Sequence, residues 1–152
     1  MVKEKPDSIR TYDEDGFRRR AACVCVKDDT EQEILLVSSS HDPGRWVVPG
    51  GGVEPKEDLN DAAVREAYEE AGVKGHIVRC LGDFENQDKR TRTSVFVLRV
   101  SETSDVWDEA QKIGRCRQWF KFAEAVEQLS LHKPVQVTYL EKLHKDARSK
   151  VT

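Results

Sequence analysis

The sequence predicts an α+β domain built around a mixed β-sheet, and three observations lead there. Several short apolar runs of strand length are separated by polar turns, and one longer stretch switches to helical periodicity. The predicted elements also follow one another without the regular strand–helix alternation of a parallel βαβ array. The chain has 152 residues, enough for one domain that buries roughly two-thirds of its unfolded surface. With 38% hydrophobic and 35% charged residues, its composition is that of a folded domain with a well-charged surface rather than a disordered chain.

Residues 1–17 are polar and charged and are expected to form an extended N-terminal arm, leaving 18–145 as the domain and 146–152 as a frayed tail. Residues 21–26 and 33–38 are short apolar runs on either side of the turn-forming Asp28-Asp29-Thr30, so they predict a hairpin. Trp46-Val47-Val48 forms a third strand, ended by Pro49-Gly50-Gly51-Gly52. Between residues 58 and 71 the period changes: Leu59, Ala63, Ala67 and Ala71 recur every four residues, one face of an amphipathic helix. Asp58 is its predicted N-cap, and Gly72 stands where helices end in a left-handed residue. Strands follow at residues 76–81, 93–100 and 116–120, then a short helix at 123–129. Pro134 opens a last helix through Val137, Leu140, Leu143 and Ala147.

A formal net charge of −3 argues against a general nucleic-acid coat, while leaving room for a local basic pocket. The cysteines Cys23, Cys25, Cys80 and Cys116 include no C-x-x-C pair, which argues against a zinc site. Cys23 and Cys25 alternate along a strand and are expected on one face as small core residues. There is no secretory apolar region and no apolar run of membrane-spanning length, so the expectation is a soluble protein of the cytoplasm and also of the nucleus, assumed to be a monomer.

On the helix at 58–71, Glu66, Glu69 and Glu70 are expected on the side opposite the alanines, three and four residues apart, so that their carboxylates project together. Like charges at this spacing repel by roughly 0.2–0.5 kcal/mol per pair. They also sit toward the helix C-terminus, where the backbone dipole disfavours negative charge. Arg65 offsets part of this, and a hard divalent cation would offset more; oxygen donors suit Mg²⁺ or Mn²⁺. Three glutamates alone would read as a solvated acidic face. The preceding Gly50-Gly51-Gly52, which allows unusual torsions and close approach to a ligand, and the further carboxylate Glu57 reverse that reading.

Residues 51–73 follow the pattern G-x5-E-x7-R-E-U-x-E-E-x-G-U, with its fixed letters on Gly51, Glu57, Arg65, Glu66, Glu69, Glu70 and Gly72. This resembles the Nudix signature, with Ala67 where a larger aliphatic residue is preferred. The resemblance implies a Nudix fold, an α/β/α sandwich with a mixed sheet, and metal-dependent hydrolysis of a phosphoanhydride. It also implies that Glu66, Glu70 and the Gly50 carbonyl hold the metal, Mg²⁺ or Mn²⁺, that Glu69 is the base for the attacking water, and that Gly51, Gly52, Glu57 and Arg65 support the site. Helix spacing alone does not say which glutamate does which job.

Outside this box the chain is similar to the diphosphoinositol polyphosphate phosphohydrolase branch of the family, from about Arg10 to about Leu143. The matching stretches include Arg18-Arg19-Arg20-Ala21-Ala22-Cys23, Arg45-Trp46-Val47-Val48-Pro49, Phe84-Glu85-Asn86-Gln87, Ile113-Gly114-Arg115 and His132-Lys133-Pro134-Val135-Gln136. The resemblance implies removal of the β-phosphate from diphosphoinositol polyphosphates, cleavage of diadenosine penta- and hexaphosphates, and in some members action on capped RNA. It places Arg10, Arg18, Arg19, Arg20, Ser39, Ser40, His41, Lys89, Arg90, Thr91, Arg115 and Lys133 around a phosphate-rich ligand. Arginine gives such a ligand two-pronged hydrogen bonds and lysine a point charge. Strand alternation turns Arg19 away from Arg18 and Arg20. Trp46, Trp107 and Trp119 are expected in packing rather than stacked on a nucleobase, and His132 as a loop-end structural residue. Two other readings are a nucleoside-diphosphate-X or mRNA-cap pyrophosphatase, and a non-catalytic module that binds a phosphorylated ligand.

Overall fold

The computed structural model describes residues 9–149. Its elements are β1 (Arg18–Val26), β2 (Glu33–Ser38), β3 (Trp46–Val47), β4 (Gly50–Gly52), α1 (Leu59–Ala71), β5 (Val73–Asn86), β6 (Thr91–Thr103), α2 (Asp108–Ile113), β7 (Arg117–Lys121), α3 (Phe122–His132) and α4 (Pro134–Ser149). One sheet runs in the order β3-β2-β1-β6-β5, with β4 added to β1 and β7 to β2. The β1–β6 pair is parallel and the others are antiparallel, so the sheet is mixed, as expected.

Helices cover both faces of this sheet, and strand alternation explains how β1 serves them both. Ala22, Val24 and Val26 pack with Ala125, Leu129, Leu140 and Leu143 of α3 and α4. Ala21, Cys23 and Cys25 pack on the other side with Ala62, Ala63, Ala67 and Ala71 of α1. Cys23 and Cys25 therefore share one buried face, and all four cysteines are free thiols. The alanines of α1 let its axis approach the strands closely, and Ala67 is fully buried at that contact.

Several expectations change in detail. Asp58 does occupy the N-cap of α1, but its side chain makes no capping hydrogen bond. The described part of the N-terminal arm folds back: Tyr12 bridges to Arg18, Phe17 is buried, and the Thr11 hydroxyl donates to the Val53 carbonyl at 2.7 Å. At the other end α4 runs on through the expected frayed region, and Asp146 pairs from it with Arg79 at 3.6 Å and Lys142 at 3.4 Å. Residues 1–8 of the expected arm and 150–152 of the tail lie outside the described residues. Among the described residues no helix is long and apolar enough to cross a membrane.

Candidate active site

The site begins where β4 meets α1. Antiparallel pairing sets Gly50 opposite Ala22, Gly51 opposite Ala21 and Gly52 opposite Arg20. Cys23 N–H donates to the Pro49 carbonyl and Val53 N–H to the Arg19 carbonyl, so the intervening Gly50 and Gly52 turn their peptide groups away from β1. Gly50 N–H accordingly donates to Glu70 Oε1 at 3.2 Å, and the Gly52 carbonyl accepts from Arg65 Nη2 at 3.0 Å. Gly50's carbonyl is turned to the same side as its N–H. A side chain at Gly51 has no room: its Cβ would lie 2.4 Å from the Glu66 carboxylate carbon. None of these three glycines has a positive φ, so close approach, not unusual torsion, is what requires glycine here.

Arg65 organises the acidic helix face. Its guanidinium grips Glu57 through Nε at 2.8 Å and Nη2 at 2.9 Å, while Nη1 reaches Glu66 at 2.9 Å and Glu69 at 3.1 Å. The Arg65 hydrogen bonds hold the Glu57 carboxyl below its ordinary range. Glu66 and Glu70 are only 3% and 2% exposed, whereas Glu69 is the more open of the three. Buried carboxylates this close together need positive charge nearby. All the donors here are hard oxygens, and Gly50's inward-turned carbonyl adds one more, so the set fits a hard divalent cation. Among the described residues no three acidic, His or Cys side chains are gathered to enclose an ion by themselves.

The far end of α1 closes on the expected Gly72 and is locked further by Arg117 and Glu109, which the sequence did not single out. Gly72 is left-handed (φ 66°) and its N–H caps the Tyr68 carbonyl. Arg117 donates to the Ala71 carbonyl at 2.7 Å and stacks on Trp107, putting a cation at the helix end where the dipole favours it. Trp107 Nε1 donates to the Glu70 carbonyl at 2.8 Å. From α2, Glu109 accepts from Arg115 Nε at 3.0 Å, and Arg115 also donates to the Ser38 carbonyl and lies 3.6 Å from Glu70. Both Glu109 and Arg115 are buried. Removing one member of such a pair strands the other charge. Glu109→Ala is therefore expected to lower stability by about 3–5 kcal/mol in urea unfolding, and Glu109→Gln by less.

A cavity of about 620 Å³ opens from Gly50–Gly52, Glu66 and Glu70 onto a basic wall. Of the residues expected around the ligand, Arg10, Arg18, Arg20, Ser39, Ser40, His41, Lys89, Arg90, Thr91, Arg115 and Lys133 all line it. Arg19 does not, because strand alternation turns it to the opposite face. Glu57 and Glu69 are not part of the lining themselves but are held on Arg65, which is. The nitrogen Nε of Arg20 is buried without a hydrogen-bond partner, an unmet donor beside the cavity. Burial, reinforced by Lys89, Arg20 and Arg45, pushes the Lys133 ammonium below its usual range. Such self-repelling cations are relieved by an anion. Tyr12, Arg65 and Gln136 also line the cavity, Gln136 being fixed by accepting from Val48 N–H at 2.8 Å.

The tryptophans are committed to packing: Trp107 on α1, and Trp46 edge-on against Phe120 with ring centroids 5.2 Å apart. Trp119 is partly buried against the α1-side core and has Lys27 over its ring. His132 is exposed in the last turn of α3, outside the cavity lining.

The model of the NUDIX domain matches residues 17–143. Diphosphoinositol polyphosphate phosphohydrolase 2 of Homo sapiens is 56% identical over 143 residues, covering 94% of this chain and 79% of that protein. Diphosphoinositol polyphosphate phosphohydrolase 3-alpha of Mus musculus is 57% identical over 143 residues, covering 93% and 87%. Among solved structures, a NUDIX hydrolase from Nitrosomonas europaea superposes with a TM-score of 0.66 at 22% identity, covering 85% of this chain and 89% of that one. At that identity the likeness shows the shared fold.

Proposed function

The chain belongs to the NUDIX family, and from that premise we propose that it is a phosphohydrolase that removes the β-phosphate of diphosphoinositol polyphosphates. One observation carries the reading: a single cavity joins the buried carboxylates Glu66 and Glu70 to a wall of arginine and lysine. A pyrophosphate-bearing, phosphate-crowded ring is the ligand that fills such a wall. The relatives described above are named as diphosphoinositol polyphosphate phosphohydrolases, which supports the substrate class.

In this mechanism Glu66, Glu70 and the Gly50 carbonyl hold Mg²⁺, with Mn²⁺ as an alternative. The bound metal supplies neutralisation of phosphate charge and a more acidic water. Glu69, less buried than its neighbours, takes the proton of the attacking water, and Arg65 keeps its carboxylate aligned. Arg18, Arg20, Arg90 and Lys133 orient the remaining phosphates, and Ser39, Ser40 and His41 close the cavity from the β2–β3 side.

Diadenosine penta- and hexaphosphates are proposed as second substrates. The supporting observation is Tyr12, 57% exposed and part of the cavity lining, which offers an aromatic face to a base. The test is turnover with Mg²⁺ of a diphosphoinositol phosphate, diadenosine hexaphosphate and ADP-ribose side by side. The expected order of kcat/KM follows phosphate density, with ADP-ribose last. Faster turnover of ADP-ribose would reject the assignment.

A further inference from the structure

Two arginines of the hairpin between β5 and β6 share one aromatic ring but differ in every other contact. The guanidinium carbons of Arg90 and Arg92 lie 4.5 and 4.6 Å from the centroid of Phe17, which is 6% exposed and immediately precedes β1. Arg92 is bound by carboxylates on several sides: Asp13, Asp15 and Glu85. Asp13 is itself fixed, because its other oxygen accepts the N–H groups of Asp15 and Phe17. Arg90 has no carboxylate partner among the described residues and lines the cavity. Its backbone is held too: the turn gives it φ 54°, and its carbonyl accepts from Arg18 N–H at 2.9 Å.

We propose that Phe17 is a positioning residue that presents Arg90 to the phosphates of the ligand. Arg92, neutralised by the acids, anchors the ring. The ring then takes up the side-chain freedom of Arg90 without neutralising its charge. A carboxylate in its place would order Arg90 equally well but would compete with phosphate for it. The flat π face keeps the guanidinium edges available for two-pronged bonds to phosphate oxygens. This inference rests on a phosphate-rich ligand, as in the function proposed above, but it concerns binding rather than hydrolysis.

The test is a double-mutant cycle on the affinity for inositol hexakisphosphate, measured by calorimetry on the full chain without a turnover step. Loss of one charge-assisted contact weakens binding about 10-fold or more, so Arg90→Ala should show that loss and Phe17→Leu most of it. In the Arg90→Ala background, Phe17→Leu should then change the affinity less than about 2-fold. Phe17→Tyr and Phe17→Trp, which keep the π face, should restore binding in the otherwise native chain. If Phe17→Leu does not fold by circular dichroism, Phe17→Met takes its place in the cycle. Additive losses overturn the proposal, as would wild-type affinity in the Leu or Met variant or absence of binding by the native chain. Failure of the native chain to release orthophosphate while this cycle holds would reject the proposed reaction alone.

Discussion

Glu70→Gln is expected to abolish orthophosphate release from a diphosphoinositol phosphate, and Glu69→Gln to lower kcat by about 10²–10⁴-fold while leaving metal binding intact. The two side chains are consecutive, yet the structure gives them different environments. Glu70 is buried, accepts from Gly50 N–H and faces Arg115, at the junction of β4 and the cavity. An amide there removes the negative charge that a divalent cation needs, and calorimetry with Mn²⁺ should show that binding is lost. Glu69 sits one position back, on Arg65. Its amide would still fill the space but could no longer take a proton. Neither variant should melt much below the native chain, because each removes one charge from a crowded acidic cluster. Equal loss of Mn²⁺ binding in both variants would overturn this division of labour.

Gly51→Ala is expected to separate stability from activity. The added methyl would lie 2.4–2.6 Å from the carboxylate atoms of Glu66, the flexible end of a side chain, so the carboxylate can swing aside at modest cost. Because φ at Gly51 is not positive, alanine adds no backbone strain. Stability should change by no more than about 1–2 kcal/mol. Activity should not survive as well: displacing Glu66 by about 1 Å breaks its place beside Arg65 and in the proposed metal site, and misplacement on that scale costs about 10²-fold. Gly50→Ala is the control, since its methyl would strike the Ala22 Cβ at 2.8 Å and the Ala21 carbonyl at 2.9 Å. It should lower the melting temperature more. A Gly51→Ala enzyme with native kcat would show that Glu66 needs no fixed position.

Much of this site is legible in the sequence because two simple periods write it. The four-residue spacing of Leu59, Ala63, Ala67 and Ala71 fixes which side of α1 meets the sheet, but it puts the glutamates opposite the alanines, whereas Glu66 and Glu70 are buried along the same side as Ala62, Ala63 and Ala67 because β4 and Arg115 cover them. The two-residue period of β1 separates Arg19 from Arg18 and Arg20, as the cavity lining bears out. β4 is harder to read, since three glycines have little strand propensity and become a strand only by pairing with β1. In β5, the register shifts at Lys74/Gly75, Ile77/Arg79 and Cys80/Gly82 break the alternation, which shortens the strand visible in the sequence to residues 76–81. Helix α2 has only six residues and no apolar stripe, so nothing local announces it or the partnership of Glu109 with Arg115. Phe17 is hidden for the same reason: its role exists only once Arg90 and Arg92 arrive beside it.

The parallel pairing of β1 with β6 has a consequence for how the chain acquires its chemistry. Arg18 is registered with Thr91, so the phosphate-facing wall closes only after the whole of α1 and β5 has been spanned. Non-local pairings of this kind must be reached against chain entropy and form late and slowly. On a chain emerging from synthesis, the residues of the acidic helix are complete well before the arginines at 18 and 90 can be brought together. Catalytic competence should therefore appear late and all at once, when β6 and the later segments that carry Arg115 and Lys133 have docked, rather than growing as the chain lengthens.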